Sequence, residues 1–305
     1  MTVFVAGADF GALASLQSVF PAAGAYLYYR RCRTLARQDR PVPGPRRLSF
    51  GFGIAVVLIA ISPPFHELAD ELLYVHMAQH LLLADIGALL IVLGLTGPVL
   101  QPVLALPVID RLRALAHPAV AFPLWLVDLY VWHAPPLYQA ALSSDLVHAL
   151  EHGCFFFFGV NVWLALFGPF PQPEWFGNAA KLGYIVGMRL AYALLGNVLL
   201  WASSVFYPDY QSHEAARHIG GLRDQGLAGT IMMIEGSILT ILLFGWIFMK
   251  AANEQEERQR LLEYAESLGV PLSRQRAARA VAAGRANELR TRLSQTMDRT
   301  ATSRR

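Results

Sequence analysis

Long apolar stretches alternate with short polar punctuation along most of this chain. Seven stretches are long enough to act as membrane spans, at residues 9–29, 48–65, 72–96, 118–133, 146–168, 180–206 and 226–249, because a bilayer core of about 30 Å needs roughly 20 apolar residues in a helix. The second is the weakest, with only 15 residues between Arg47 and Pro63. Pro63-Pro64, Pro135-Pro136, Pro169-Phe170-Pro171 and Pro208 fall between the stretches, where helices must stop or turn. The pattern predicts an all-α protein, a polytopic bundle of about seven transmembrane helices over residues 1–250. Gly183, Gly187 and Ala191 form a stripe of small residues on which the sixth helix could pack closely against another.

After Lys250 the pattern changes. Glu254 with Arg258 and Glu256 with Arg260 stand at helical i, i+4 spacing, and Leu261, Ala265 and Leu268 trace a thin apolar stripe. Gly269 and Pro271 end this helix, and residues 273–295 can form a second. Residues 251–305 therefore read as a charged, helical cytoplasmic tail. Its arginines are interspersed with acids and lack aromatic neighbours, which suits anionic headgroups and excludes a nucleic-acid site.

Charge sets the orientation. Residues 30–47 hold seven arginines against one acid, and alternating the spans from there places Arg111, Arg113, Lys181 and the tail on the same, cytoplasmic side. The opposite loops carry Glu67, Asp70, Glu71, Asp145, Asp209, Glu214 and Asp224, so the amino terminus and these loops are expected outside. Tyr74, Trp132, Tyr138, Trp201, Tyr207 and Tyr210 fall at the outer boundary, as an aromatic belt would. No basic residue precedes the first span and Arg30 and Arg31 follow it, the reverse of a signal peptide, so that span is expected to remain in the mature chain. With 55% hydrophobic and 15% charged residues, the composition agrees with an integral protein of the bilayer.

The chemistry lies in the histidines. His76 with His80 and His148 with His152 are pairs at i, i+4, each able to offer two imidazoles from one helix face to a single ion. Nine histidines in 305 residues would produce roughly a quarter of one such pair by chance. His66, His76, His80, His133, His148, His152, His213 and His218 all map to the outer side, and only His117 to the inner. His76, His80, His133, His148 and His152 are the metal-ligand candidates, at one site between the third, fourth and fifth spans. Asp85 and Asp128 lie five residues deeper than His80 and His133, about 7.5 Å at helical rise. Arg189 and Glu235 also fall near the membrane middle, so Arg189 is expected to pair with Asp85, Asp128 or Glu235. These four charged residues read more readily as structural polar pairs than as groups tuning a metal. Imidazole suits copper, zinc, iron and nickel. Met77 and Cys154 point away from their neighbouring histidines, so sulfur does not select copper. Cys32 and Cys154, predicted on opposite sides, argue against a disulfide.

Four motifs in order, His76-Met77-Ala78-Gln79-His80-Leu81-Leu82-Leu83, Val131-Trp132-His133-Ala134-Pro135-Pro136-Leu137-Tyr138, His148-Ala149-Leu150-Glu151-His152, and Asp224-Gln225-Gly226-Leu227-Ala228-Gly229 with Met232, resemble the multi-span CtaG family of bacterial cytochrome c oxidase assembly factors. The resemblance covers about residues 10–250. It implies a plasma-membrane protein that helps to build a caa-type terminal oxidase, with oxidase subunits as partners and copper delivery or insertion at the outer face. Met233 and Glu235 depart from the family's Trp and apolar or Pro pattern, and the charged tail lies outside the resemblance. Zinc is the alternative metal, in a membrane hydrolase with Glu151 or Asp85 as its acid. A b-type haem carrier is the third reading, though i, i+4 pairs exceed what axial ligation needs.

Overall fold

A computed structural model describes residues 6–107, 113–282 and 284–302, and every regular element among them is helical. Helix α1 is Ala6–Ala36, α2 is Gly44–Ala60 and α3 is Pro63–Glu71. Helix α4 is Leu73–Gly94, followed by α5, Gly97–Leu104, α6, Pro118–Trp132, and α7, Pro135–Ser143. Helix α8 is Asp145–Phe167, α9 is Asn178–Trp201, α10 is Gln211–Ala216 and α11 is Gly221–Ser267. Helices α12, Arg274–Ala282, and α13, Ala286–Thr302, end the chain's regular structure. The chain divides into two compact units, Met1–Leu239 and Thr240–Arg305.

Among the described residues, four helices are both long and apolar enough to cross a bilayer: α4, α8, α9 and α11. Helices α2 and α3, bent by 52° at their junction, make a fifth if the pair is one broken span. The expected count of seven is not confirmed among the described residues. Helix α6 is apolar but has 15 residues, short of a full crossing, and α1 does not meet the criterion. The bend at Ile61-Ser62 follows from Pro63 and Pro64, which cannot continue the hydrogen bonding of α2 but suit the first turn of a new helix. The segment read as an outer loop thus contains a helix, and its turns set His66 and Asp70 on one face.

Helix α4 is interrupted by a π-helical turn at Leu82–Gly87. The wider turn leaves the Ala84 carbonyl available, and Trp163 of α8 donates its indole N–H to that oxygen at 3.0 Å. At the same level Gly159 lies so near Ala84 that a Cβ there would stand 2.4 Å from the Ala84 oxygen. Only glycine allows this crossing, and it draws α8 against the histidine-bearing helix. The second close approach pairs Gly196 of α9 with Gly229 of α11, where a Cβ on Gly229 would lie 2.3 Å from the Gly196 oxygen. The stripe expected to serve this purpose does less: nothing approaches Gly183, and Gly187 meets only the ring of Phe122.

Arginines of the basic segment do structural work at helix ends. Arg46 donates to the Leu93 and Leu95 carbonyls that α4 leaves unsatisfied, and Arg31 donates twice to Pro98 O. Tyr28 stacks on Phe50 at 3.7 Å and donates to Gly94 O at 3.0 Å. These contacts hold α1, α2 and the end of α4 together.

The second unit is built differently. Leu261, Ala265, Val281, Ala286, Leu289 and Leu293 form an apolar core among the end of α11, α12 and α13, and Arg290 lies over the Tyr264 ring at 4.6 Å. Gly269 and Gly284 adopt φ of +66° and +65° at the two turns, the left-handed geometry that ends a helix most readily at glycine. The second tail helix expected over residues 273–295 is accordingly two helices, broken around Gly284.

Candidate metal centre

The first turn of α4 carries the site, and a distant residue fixes it. Asp224, fully buried at the start of α11, accepts hydrogen bonds from the backbone N–H groups of Leu73 and Tyr74 at 2.8 and 3.0 Å. A carboxylate in this place satisfies orphan donors of the helix and complements its dipole. Gln225 beside it accepts from Phe206 N and donates to Leu199 O and Ser204 O, tying the same point to α9. The Asp224-Gln225 motif therefore positions His76 and His80 from 150 residues away in the sequence. Its role was not legible from the sequence, where Asp224 counted as an outer-loop charge and as the start of the fourth family motif.

The two histidine pairs converge. The His76 and His80 Nε2 atoms lie 2.9 Å apart. Glu151 of α8 places one carboxylate oxygen 3.6 Å from His76 Nε2 and the other 3.8 Å from His80 Nε2. Ring centroids of His148 and His152 lie 5.0 and 6.0 Å from that of His76, and His80 and His152 are 5.4 Å apart. His76, His80, Glu151 and His152 each offer a ligand atom within 4.8 Å of the others; His66, His148 and His152 form a second such group, with His152 common to both. Donors around a tetrahedral ion with bonds near 2.0–2.1 Å stand about 3.3 Å apart, so the spacings at Glu151 are those of a ligand set needing only small shifts.

Burial makes the same point energetically. His76 and Glu151 are 0% exposed. Neither Glu151 oxygen has a hydrogen-bond partner, nor do His80 Nδ1, His148 Nε2 or either nitrogen of His152. A buried carboxylate without a partner costs several kcal/mol or more, and a cation held between it and the imidazoles would remove that cost. Glu151, expected as a supporting acid, thus stands among the donors, and His66, counted only as an outer histidine, joins them. The i, i+3 spacing could have placed Glu151 on the face of His148 but not shown its inward aim. His66 arrives through the α2–α3 bend.

His133 stands apart. It caps the end of α6, donates Nδ1–H to Leu129 O at 2.6 Å, and turns Nε2 toward Met77 Sδ at 3.2 Å. Met77 does point away from the His76 group, as its position on the helix requires, yet that direction brings it to His133. Three tyrosines expected in an aromatic belt are buried against the centre instead. Tyr210 O–H lies 3.2 Å from His76 Nδ1 and 3.0 Å from Tyr138 O–H, and Tyr207 donates to His133 O at 2.8 Å. Burial raises the phenols of Tyr207 and Tyr210 above their ordinary range, with the charge of Glu151 adding to both, so they stay protonated donors.

The deeper charged residues do not join the centre. Asp85 is buried in the π-helical turn and Asp128 on α6. Arg189 donates Nη2–H to Ser237 Oγ at 2.8 Å, and neither Glu235 oxygen is hydrogen-bonded. His213 and His218 are exposed, and His117 accepts from Ala119 N at the start of α6.

Apolar helices of spanning length around a buried histidine and carboxylate cluster define a helical protein of the membrane class with a metal-competent interior. The family model of the cytochrome c oxidase caa3 assembly factors (Caa3_CtaG) matches residues 26–254, and the chain belongs to that family. It is also 25% identical over 281 residues to the uncharacterized proteins Mb0105 of Mycobacterium bovis and MT0111 of Mycobacterium tuberculosis, covering 82% of this chain and 42% of each relative. The chain thus spans less than half the length of those relatives. No solved structure matches it.

Proposed function

We propose that this protein assists assembly of a caa3-type cytochrome c oxidase by binding copper in the histidine cluster and passing it to oxidase subunits. In this reading it sits in the bacterial plasma membrane with its amino terminus and the cluster at the outer face and its tail in the cytoplasm. One observation carries the metal part: the fully buried Glu151 carboxylate, without a hydrogen bond, faces the Nε2 atoms of His76 and His80 at 3.6 and 3.8 Å.

The competing readings fit less well. A zinc hydrolase needs an acid free to act on water; Glu151, with its oxygens 3.6 and 3.8 Å from His76 and His80, suits a ligand better, and Asp85 lies deeper in the π-helical turn. Axial haem ligation needs two imidazoles on opposite sides of a porphyrin, and the His76 and His148 rings stack at 5.0 Å with 12° between their planes, leaving no room for a macrocycle. The test is the His76→Ala, His148→Ala double variant in cells. Oxidase activity and oxidase copper are expected to fall while the variant's own level holds. Normal oxidase copper at normal variant level would overturn copper delivery.

A further inference from the structure

We propose that the centre holds two metal ions in sequence, a loading position at His66, His148 and Asp70 and a holding position at His76, His80 and Glu151, with His152 as the ligand they share. The inference rests on the metal-binding reading above and adds the number of ions and their route.

Three observations carry it. First, the donors fall into two sets, and His152 belongs to both. Its two ring nitrogens are both buried and both without a hydrogen bond, although a buried histidine that serves only packing or one ion usually commits its second nitrogen to a neighbour. One imidazole bridging two ions does so as the imidazolate, its N–H proton passing to solvent as the second ion binds, and sets the ions about 6 Å apart, given metal–nitrogen bonds near 2 Å on either side of the ring.

Second, the two sets differ in their access to solvent. Glu151 in the inner set is 0% exposed, whereas the Asp70 side chain is 36% exposed. Asp70 places its carboxylate oxygens 3.7 Å from His148 Nδ1 and 3.9 Å from His66 Nε2. An acid that is half in water and half against two imidazoles can take a hydrated cation and strip its water stepwise.

Third, the two sets are braced at different points. Asp224 fixes the start of α4 and with it His76 and His80. The bend after α2 and the Gln79 amide, which donates to Ala60 O at 2.7 Å and lies 3.4 Å from His66 Nδ1, fix the outer set. The two sets share α8 and are both braced through α4, but at different points, and with one side chain common to both an ion can move from the first to the second by exchanging ligands at His152.

The experiment uses the full chain purified in detergent, stripped with chelator and titrated with Zn²⁺, then separately with Cu²⁺. Two equivalents of Zn²⁺ are expected, and the protein with two Cu²⁺ should show a half-field electron paramagnetic resonance signal from coupled ions. His66→Asn should bind one equivalent and fill the remaining position at least about tenfold more slowly; His80→Asn should also bind one, at the wild-type loading rate. One equivalent in the wild-type chain would overturn the two-ion inference and leave the metal reading standing, while none would overturn both. Two equivalents without magnetic coupling would overturn the shared ligand, and His66→Asn filling at the wild-type rate would overturn the route. The wild-type stoichiometry and coupling decide the case even if a variant fails to fold.

Discussion

The two units bury opposite kinds of side chain. The first buries His66, His76, His80, His148, His152, Glu151 and Asp224 at one end of an apolar bundle. The second buries leucine, valine and alanine from three amphipathic helices and leaves its charges in water. A core like that of the second unit needs no ligand, because removing apolar area from water stabilises it unaided at roughly 25 cal/mol per Å². The first unit also gains from apolar packing, but its buried carboxylate and imidazoles oppose folding unless something satisfies them. Polar burial of that kind points to a use outside folding, and the proposed metal ion would satisfy its donors.

The sharpest way to break this contrast is to delete the donor common to both ligand sets. His152→Ala should lower metal affinity by more than about 100-fold, since loss of even a supporting partner costs about 10–100-fold. Its thermal midpoint without metal should stay near that of the wild type, or rise, as an unsatisfied buried group is lost. Elemental analysis and a melting curve check this, and a variant that keeps its metal but melts far lower would make His152 a packing residue. A smaller effect is expected in the other unit. Leu289→Ala, in a site 6% exposed, should destabilise the tail by about 2–3 kcal/mol, read as loss of protection from limited proteolysis between α12 and α13. Metal stoichiometry should not change.

These effects also mark what the sequence could tell. The tail was legible because its stability lies in local spacing: Leu261, Ala265 and Leu268 trace their stripe at periods of three and four, and Gly269 stops the helix where it stands. Only the second stop, at Gly284, escaped, since residues 273–295 show no proline. In the first unit the i, i+4 histidine pairs were visible for the same local reason, and they do converge. The count of seven spans is not confirmed because apolarity alone does not separate a full crossing from the 15-residue α6 or from a helix bent at prolines. Long-range relations were invisible: Asp224 capping α4, Gly159 meeting Ala84, and Met77 reaching His133 each join residues at least 56 positions apart, and no periodicity encodes them.

Asp224 offers the next test, because it is a polar residue of the first unit that serves architecture alone. Asp224→Ala leaves two backbone donors of α4 without a partner, and loss of such a cap costs about 1–2 kcal/mol. A thermal midpoint lower by several degrees is expected, with metal affinity reduced severalfold through misplacement of His76 and His80 rather than through loss of a ligand. Asp224→Asn, which keeps one acceptor oxygen, should recover most of both. Equal damage from Asn and Ala would mean that the charge, not the cap, is what the position supplies.

The smallest effect is expected at Arg260 and Glu256, an i, i+4 pair on the second unit with side chains 73% and 61% exposed. Water screens the attraction and both long side chains lose rotamer freedom when they pair, so such contacts contribute about 0.2–0.5 kcal/mol. Arg260→Ala, Glu256→Ala and the double variant should therefore melt within about a degree of one another, and the coupling between them should vanish in high salt. This null result sharpens the contrast between the units, because the same charges, moved from water to a buried position like that of Glu151, would carry a cost many times larger. A coupling above about 1 kcal/mol would instead mean that this face is covered in solution, and chemical cross-linking from Lys250 would then be the means to find what covers it.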